Sequence, residues 1–276
     1  MVEAGPRDGL AVVMQHGTPS AGIPFPAHVQ DAESKGIRLV AYDRPGYGHS
    51  TRHADYRFAD TAADVTAIAD ALDLERLAVW GMSGGGPHAL ACAALLQGRV
   101  VAVGILASPA PYGAPGLDFF AGMGEANVED FNLMLNDEAG AHARLPADRE
   151  ATLGMTAEMM VKAMASLMSP SDLASHTPEF AEWIVAGMHA GLVHDGEGWW
   201  DDSMAQVRPW GFEVDAIAVP VQLWHGTDDR FVPVGHGRWL AEHIPGVDAH
   251  IVEAEGHGTV VQKHLPQLHS WLVEHF

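Results

Sequence analysis

Cysteine and basic residues are both scarce in this sequence of 276 residues. Cys92 is the only cysteine, so no disulfide can form within the chain and no oxidising compartment is implied. Lys and Arg number 15 against 36 Asp and Glu, which gives a formal net charge of −21. An acidic surface repels polyanions, so nucleic acid and anionic membranes are not expected as partners.

Long apolar runs are also missing. No stretch approaches the roughly 18 apolar residues that suggest a transmembrane helix. The first ten residues contain neither the basic stretch nor the apolar stretch of a signal peptide. With 47% hydrophobic and 18% charged residues, the chain has ample material for a core. We therefore expect a globular, cytoplasmic protein that acts on a small molecule.

Short apolar runs alternate with amphipathic stretches through the first half of the chain and again near its end. Alternation of this kind is typical of strands and helices wound around a mostly parallel sheet, and so predicts an α/β fold. The predicted strands are 10–14, 37–42, 77–80, 100–106, 219–224 and 250–252.

The composition of the sequence changes between about residues 113 and 208, where methionine is frequent and prolines interrupt the helical periodicity. We predict a core domain formed by 1–112 and 209–276, with 113–208 inserted as a helical lid. From Asp118 to Asp202 the sequence contains 16 acidic and three basic residues, so this segment is expected to disfavour anionic substrates. Eight methionines of the segment form either ordinary core or an adaptable apolar lining for a site: Met123, Met134, Met155, Met159, Met160, Met164, Met168 and Met188.

The segment Gly81-Met82-Ser83-Gly84-Gly85 matches the G-x-S-x-G pattern. It follows an apolar strand and opens a helix, which is the context that a nucleophile elbow needs. A serine at such a turn is held in a strained backbone conformation, and small neighbours let strand and helix approach closely. We therefore identify Ser83 as a candidate nucleophile.

Several separated motifs accompany this elbow and resemble those of the α/β-hydrolase superfamily. They are His16-Gly17-Thr18-Pro19, Asp43 to Ser50 (DRPGYGHS), His225 to Pro233 (HGTDDRFVP) and Gly256-His257-Gly258. The resemblance implies a doubly wound sheet with an inserted lid. The family has a hairpin of about two strands in this part of the chain, whereas only nine residues precede the first predicted strand here, so the sheet edge is expected to be shortened.

A serine hydroxyl needs a base, and the base needs an orienting acid. Among 17 histidines, His257 lies between glycines after the last predicted strand, and the chain order Ser, Asp, His fits this class. The spacing D-x-x-V-P favours Asp229 as the acid. Its neighbour Asp228, or an acid after an earlier strand such as Asp118, remains an alternative.

Two backbone N–H groups are expected to bind the oxyanion. One belongs to Gly84, at the start of a helix where the helix dipole favours negative charge. The resemblance assigns the other to the His-Gly-Thr-Pro segment, and there Thr18 is the candidate because Pro19 has no N–H. The alternative is that Thr18-Pro19 is only a rigid turn.

These residues together predict a serine hydrolase that cleaves a neutral, largely apolar carboxylic ester, with no metal and no organic cofactor. An aminopeptidase resembling proline iminopeptidases, with an acidic lid that receives the substrate amine, is the main alternative. Carbon–carbon bond hydrolysis and perhydrolase reactions use similar triads and remain open. A binding module without catalysis is disfavoured by the intact Ser, Asp and His. The oligomeric state is not determined, and a homodimer is compatible with the sequence.

Overall fold

Seven strands form a single sheet in the computed structural model, which describes all 276 residues. The strands are β1 Val2–Ala4, β2 Leu10–Gln15, β3 Ile37–Ala41, β4 Leu77–Met82, β5 Val100–Leu106, β6 Val221–Gly226 and β7 Asp248–Val252. Their order is β1-β3-β2-β4-β5-β6-β7, and every pair except β1 with β3 is parallel. The predicted α/β class and mostly parallel sheet are confirmed.

Eleven α-helices accompany the strands. They are α1 Pro26–Ser34, α2 Thr61–Ala71, α3 Gly85–Leu95, α4 Glu125–Asn136, α5 Glu138–Leu153, α6 Ala157–Ala163, α7 Pro170–Ser175, α8 Pro178–Gly191, α9 Glu197–Val207, α10 Val234–His243 and α11 His257–Glu274. No helix combines the length and the apolar composition needed to cross a bilayer.

Both faces of the sheet are buried by helices. On one face, α2, α3 and α10 pack on alternate strand residues such as Val13 and Val40. On the other face, α1 and α11 cover the intervening residues, such as Val12 and Leu39. Burial on both faces explains why the strands appear in the sequence as continuous apolar runs.

One edge of the sheet is a strand of three residues, β1, which precedes β2. The shortening of this edge relative to the family stays a prediction. We did not predict this strand. Its side chains are largely exposed, so it lacks the apolar run by which the buried strands were recognised. Pairing with β3 through the backbone is what defines it.

Six helices, α4 to α9, lie between β5 and β6. The segment is therefore helical, as its sequence texture indicates. The division of the chain into a core and a lid at residues 113 and 208 stays a prediction. We use the word lid below for the helices α4 to α9.

Candidate active site

Ser83 lies at a sharp turn directly after β4. Its φ of +52° is in the left-handed region, which is uncommon for residues other than glycine and marks local strain. A Cβ atom on Gly81 would come within 2.2 Å of the Gly85 carbonyl oxygen, so only glycine lets strand and helix approach this closely. The Ser83 N–H donates to Leu106 O of β5 at 2.9 Å, which ties the turn to the sheet.

Asp229 lies in the loop after β6, and His257 is the first residue of α11, shortly after β7. Asp229 Oδ2 accepts a hydrogen bond from His257 Nδ1 at 2.7 Å. Its other oxygen, Oδ1, accepts the backbone N–H groups of Phe231 and Val232 at 2.9 and 2.8 Å. The backbone of the loop therefore holds the carboxylate in the orientation in which it accepts from the imidazole. Asp228 is exposed and accepts only from Thr227.

The His257 imidazole has a raised pKa. Burial lowers the pKa, but the charge and hydrogen bond of Asp229, together with the charge of Asp172, raise it by more. Net stabilisation of the imidazolium is what a base needs when it must accept a proton during a reaction.

Ser83 and His257 line the same cavity, which has a volume of about 170 Å³. No hydrogen bond joins Ser83 Oγ to His257 in this structure. Thr18 lines the cavity as well. The structure therefore brings together the three residue types that the sequence proposed for nucleophile, base and oxyanion donor.

Thr18 and Gly84 lie close to each other, next to Ser83. A Cβ atom placed on Gly84 would lie 3.4 Å from the Thr18 backbone nitrogen. Neither backbone N–H donates to another main-chain group. Gly84 is also the N-cap residue of α3, where the helix dipole adds positive potential.

The remaining cavity wall is mostly apolar and comes largely from the lid. Four of the eight methionines considered above contribute to it, namely Met160, Met164, Met168 and Met188. Met159, by contrast, is 53% exposed. The adaptable lining therefore involves half of those methionines. Trp183 lines the cavity, whereas Trp199, Trp200 and Trp210 do not.

A buried ionic cluster, which the sequence did not reveal, lies behind Thr18. Asp202 of α9 pairs with Arg44, and both side chains are nearly inaccessible to solvent. The same carboxylate accepts from His88 Nε2 at 2.8 Å, Tyr47 OH at 3.1 Å and the Thr18 hydroxyl. Arg44 also donates to the carbonyl oxygens of His16 and Gly17. The cluster thus fixes the backbone on both sides of the Gly17–Thr18 peptide.

Burial alone would raise the pKa of Asp202, but the charge of Arg44 and the hydrogen bonds from His88 and Arg44 hold it well below its usual range. Burial and the Arg44 charge lower the pKa of His88 to about 4, against the opposing effect of Asp202. The cluster at neutral pH is therefore one ion pair with a neutral imidazole.

We expect Asp202→Asn to lower the free energy of unfolding by about 3 to 5 kcal/mol, because Arg44 would be left as a buried charge without its partner. Urea unfolding at pH 7 measures this change. Glu182→Gln, an exposed carboxylate on α8 that makes no hydrogen bond, serves as the matched control. Equal unfolding midpoints and slopes for the two variants would contradict the account of the cluster.

The sequence of this chain also matches a known family. The family model for the alpha/beta hydrolase fold matches residues 11–263. This chain belongs to the α/β-hydrolase family. The resemblance given by the separated motifs is thereby confirmed, and the hydrolases among the relatives of this α/β-hydrolase agree with a hydrolytic site.

Relatives of this α/β-hydrolase carry several different activities in their names. The non-heme chloroperoxidase of Streptomyces lividans is 38% identical over 251 residues, which cover 83% of this chain and 78% of the relative. The 2-hydroxy-6-oxononadienedioate/2-hydroxy-6-oxononatrienedioate hydrolase of Cupriavidus pinatubonensis is 26% identical over 259 residues, covering 89% and 80%. Among solved structures, an esterase from Exiguobacterium antarcticum superposes with a TM-score of 0.73 at 20% identity, covering 98% of this chain and 94% of that chain.

Proposed function

We propose that this α/β-hydrolase cleaves a neutral, largely apolar carboxylic ester through an acyl-enzyme on Ser83. The observation that carries the proposal is that the strained Ser83 and the Asp229-bound His257 line one cavity with a mostly apolar wall. A nucleophile, an oriented base and an apolar binding surface are what acyl transfer from such an ester requires.

In the proposed reaction, Ser83 Oγ attacks the ester carbonyl while His257 Nε2 takes the hydroxyl proton. Asp229 keeps the other proton on Nδ1 and stabilises the imidazolium as it forms. The carbonyl oxygen becomes negative beside the N–H groups of Thr18 and Gly84. His257 then protonates the leaving alcohol. A water molecule, deprotonated by the same imidazole, finally releases the carboxylic acid and regenerates the serine.

The charges around the cavity favour a neutral substrate. No lysine or arginine lines it, and its one carboxylate is Asp172. A dicarboxylate, such as the substrate in the name of the Cupriavidus relative, would meet no fixed positive charge. The lining therefore supports ester cleavage over carbon–carbon cleavage of a dianion.

The aminopeptidase alternative needs a free carboxylate for the substrate amine. Asp172 is the only acidic residue in the lining, and both of its oxygens already accept hydrogen bonds from Ser169, His257 and Thr259. An ammonium group would have to displace these donors from a nearly fully buried carboxylate. The geometry thus favours an ester over an N-terminal amine.

A substrate panel tests the proposal. We expect p-nitrophenyl esters of unbranched fatty acids to be hydrolysed, with kcat/KM rising as the chain lengthens from two to about six carbons, because each buried methylene contributes about 0.8 kcal/mol. Proline p-nitroanilide and other amino-acid arylamides are expected to be inert. Activity confined to the amides would overturn the choice of substrate class.

The pH profile of kcat/KM follows from the raised pKa of His257. Because the imidazole must be neutral to accept the serine proton, activity is lost as pH falls through that pKa. We expect the midpoint of the acid limb to lie above 6.5, the ordinary histidine value. Initial rates from pH 5 to 9 at low substrate concentration measure it. A midpoint below 6.5 would contradict the electrostatics of the site.

The 38% sequence identity with the Streptomyces chloroperoxidase supports a second candidate function. In this reaction hydrogen peroxide replaces water in deacylation. Acetic acid and hydrogen peroxide would then give peracetic acid and water, through the same acyl-serine. Peracid formation, followed by oxidation of bromide, tests this reaction. Its loss together with ester hydrolysis in Ser83→Ala would show one shared site.

A further inference from the structure

Helix α11 begins at His257 and has no capping side chain of its own. Its N-cap residue is Gly256, which makes no side-chain hydrogen bond. The first N–H groups of any helix lack partners within the helix and need acceptors from elsewhere. In α11 these groups include the backbone N–H of the proposed base.

The lid supplies the missing acceptor. Asp172, in α7, accepts the His257 N–H on Oδ2 at 3.2 Å. Its Oδ1 accepts both the N–H and the hydroxyl of Thr259, each at 2.9 Å. The Asp172 side chain is nearly fully buried, and Ser169 N and Oγ donate to the same carboxylate from the lid. One carboxylate therefore joins α7 to the start of α11.

Gly256 is the residue that admits this carboxylate. A Cβ atom at position 256 would lie 2.0 Å from Asp172 Oδ2 and 2.2 Å from Ser169 Oγ. Its φ of −102° and ψ of −166° are accessible to any residue, so backbone freedom does not require glycine here. Space for the lid carboxylate does.

The same carboxylate acts on the charge of the base. The positive end of the α11 dipole opposes protonation of His257, and a negative charge at that end offsets it. The titratable groups around the imidazole are Asp229 and His225 from the core and Asp172 and His176 from the lid. Burial lowers the pKa of both neighbouring histidines, which leaves the two carboxylates as the charges that His257 meets.

We infer that Asp172 is a positioning residue of the proposed hydrolase, which caps helix α11 from the lid and so fixes the backbone that carries the His257 imidazole. The inference rests on the proposed function. The lid would then contribute to the catalytic machinery as well as cover the cavity.

Asp172→Asn in the full-length protein tests this role. An amide keeps the size of the side chain but removes its charge, and its NH₂ cannot accept from α11. We expect the acid limb of kcat/KM to move down by about 0.5 to 1 pH unit. At pH 8 we expect kcat to fall about tenfold or more, because the base is less well placed. Ser169→Ala removes the hydrogen bonds of the Ser169 hydroxyl with Asp172 and Ser171, all within the lid, and removes no contact with α11. It should keep the midpoint within about 0.2 pH unit.

Gly256→Ala provides a second variant with an intact carboxylate. The added methyl group displaces Asp172 from α11, so the acid limb should move in the same direction as in Asp172→Asn. A loss of stability in either variant with an unchanged midpoint would mean that Asp172 is only structural and would overturn the inference.

A direct titration separates this inference from the proposed function. NMR of the histidine rings, with the His257 signal identified by its absence in His257→Gln, reports the imidazole pKa without any substrate. A lower pKa in Asp172→Asn supports the capping role even for a protein that fails to cleave esters. The same pKa in both proteins overturns it, whatever the turnover.

Discussion

Replacing Ser83 by alanine should reduce ester turnover by a factor of about 10⁵ to 10⁶. The reason is that the acyl-enzyme cannot form without the hydroxyl, so catalysis falls to what the oxyanion donors and substrate binding supply alone. Burst and steady-state release of p-nitrophenol measure the loss. Binding should change little, because alanine keeps the backbone and opens only a small space at the turn.

Ser20 offers the matched control, since it is the other serine that lines the cavity. Its hydroxyl donates to Ala21 O at 3.5 Å and lies on a different loop from the elbow. We expect Ser20→Ala to lower turnover by less than about tenfold. A larger loss in Ser20→Ala than in Ser83→Ala would mean that Ser83 is not the nucleophile.

Asp229→Asn should reduce kcat by about 10⁴. Asparagine can keep Oδ1 on the Phe231 and Val232 N–H groups, which leaves its NH₂ facing His257. Two donors cannot pair, so the imidazole is driven to the tautomer that carries its proton on Nε2. That tautomer cannot take the serine proton. Single-turnover kinetics at pH 8 separates this effect on acylation from any effect on product release.

Asp228→Asn is the control for that result, because Asp228 is the adjacent carboxylate but lies exposed, with Thr227 as its only hydrogen-bond donor from a side chain. We expect its kcat to stay within about threefold of the unmodified enzyme. Equal losses in the two variants would show that negative charge near the site matters and that the orientation of His257 does not.

The features that local chemistry imposes were predictable from the sequence. Strands buried on both faces must be apolar, and this fixed six of the seven strands to within a few residues. The turn at Ser83 needs glycines, and Asp229 and His257 follow strands whose carboxyl ends meet at one edge of a parallel sheet. Strand β1 was not predicted, because it is defined by its backbone pairing with β3 and its side chains are largely exposed.

Two of the buried lid carboxylates, Asp172 and Asp202, could not be recognised in the same way. Asp172 and Asp202 lie in a segment with 16 acidic residues, and nothing in their neighbours distinguishes them from surface charges. Thr259, which donates to Asp172, lies 87 residues from it along the chain, and Arg44, which donates to Asp202, lies 158 residues from it. Only the fold brings such pairs together. Some of the acidic residues of the lid are therefore buried and paired, and do not contribute to the charge of its surface.

The adjacent acids Asp201 and Asp202 show how the lid is held. Asp201 accepts from Arg52 at 2.6 and 3.0 Å, next to the contact of Asp202 with Arg44. Helix α9 is thereby bound to the core at two successive residues.

The central claim is that His257 activates Ser83 for attack on an acyl carbon. Labelling with a fluorophosphonate, followed by mass spectrometry of the digested protein, tests it most directly. The account predicts one phosphonyl group per chain, on the peptide that contains Ser83, with labelling at least 100-fold slower in His257→Gln. Folded protein that stays unlabelled at Ser83, or that labels equally fast without the imidazole, would contradict it.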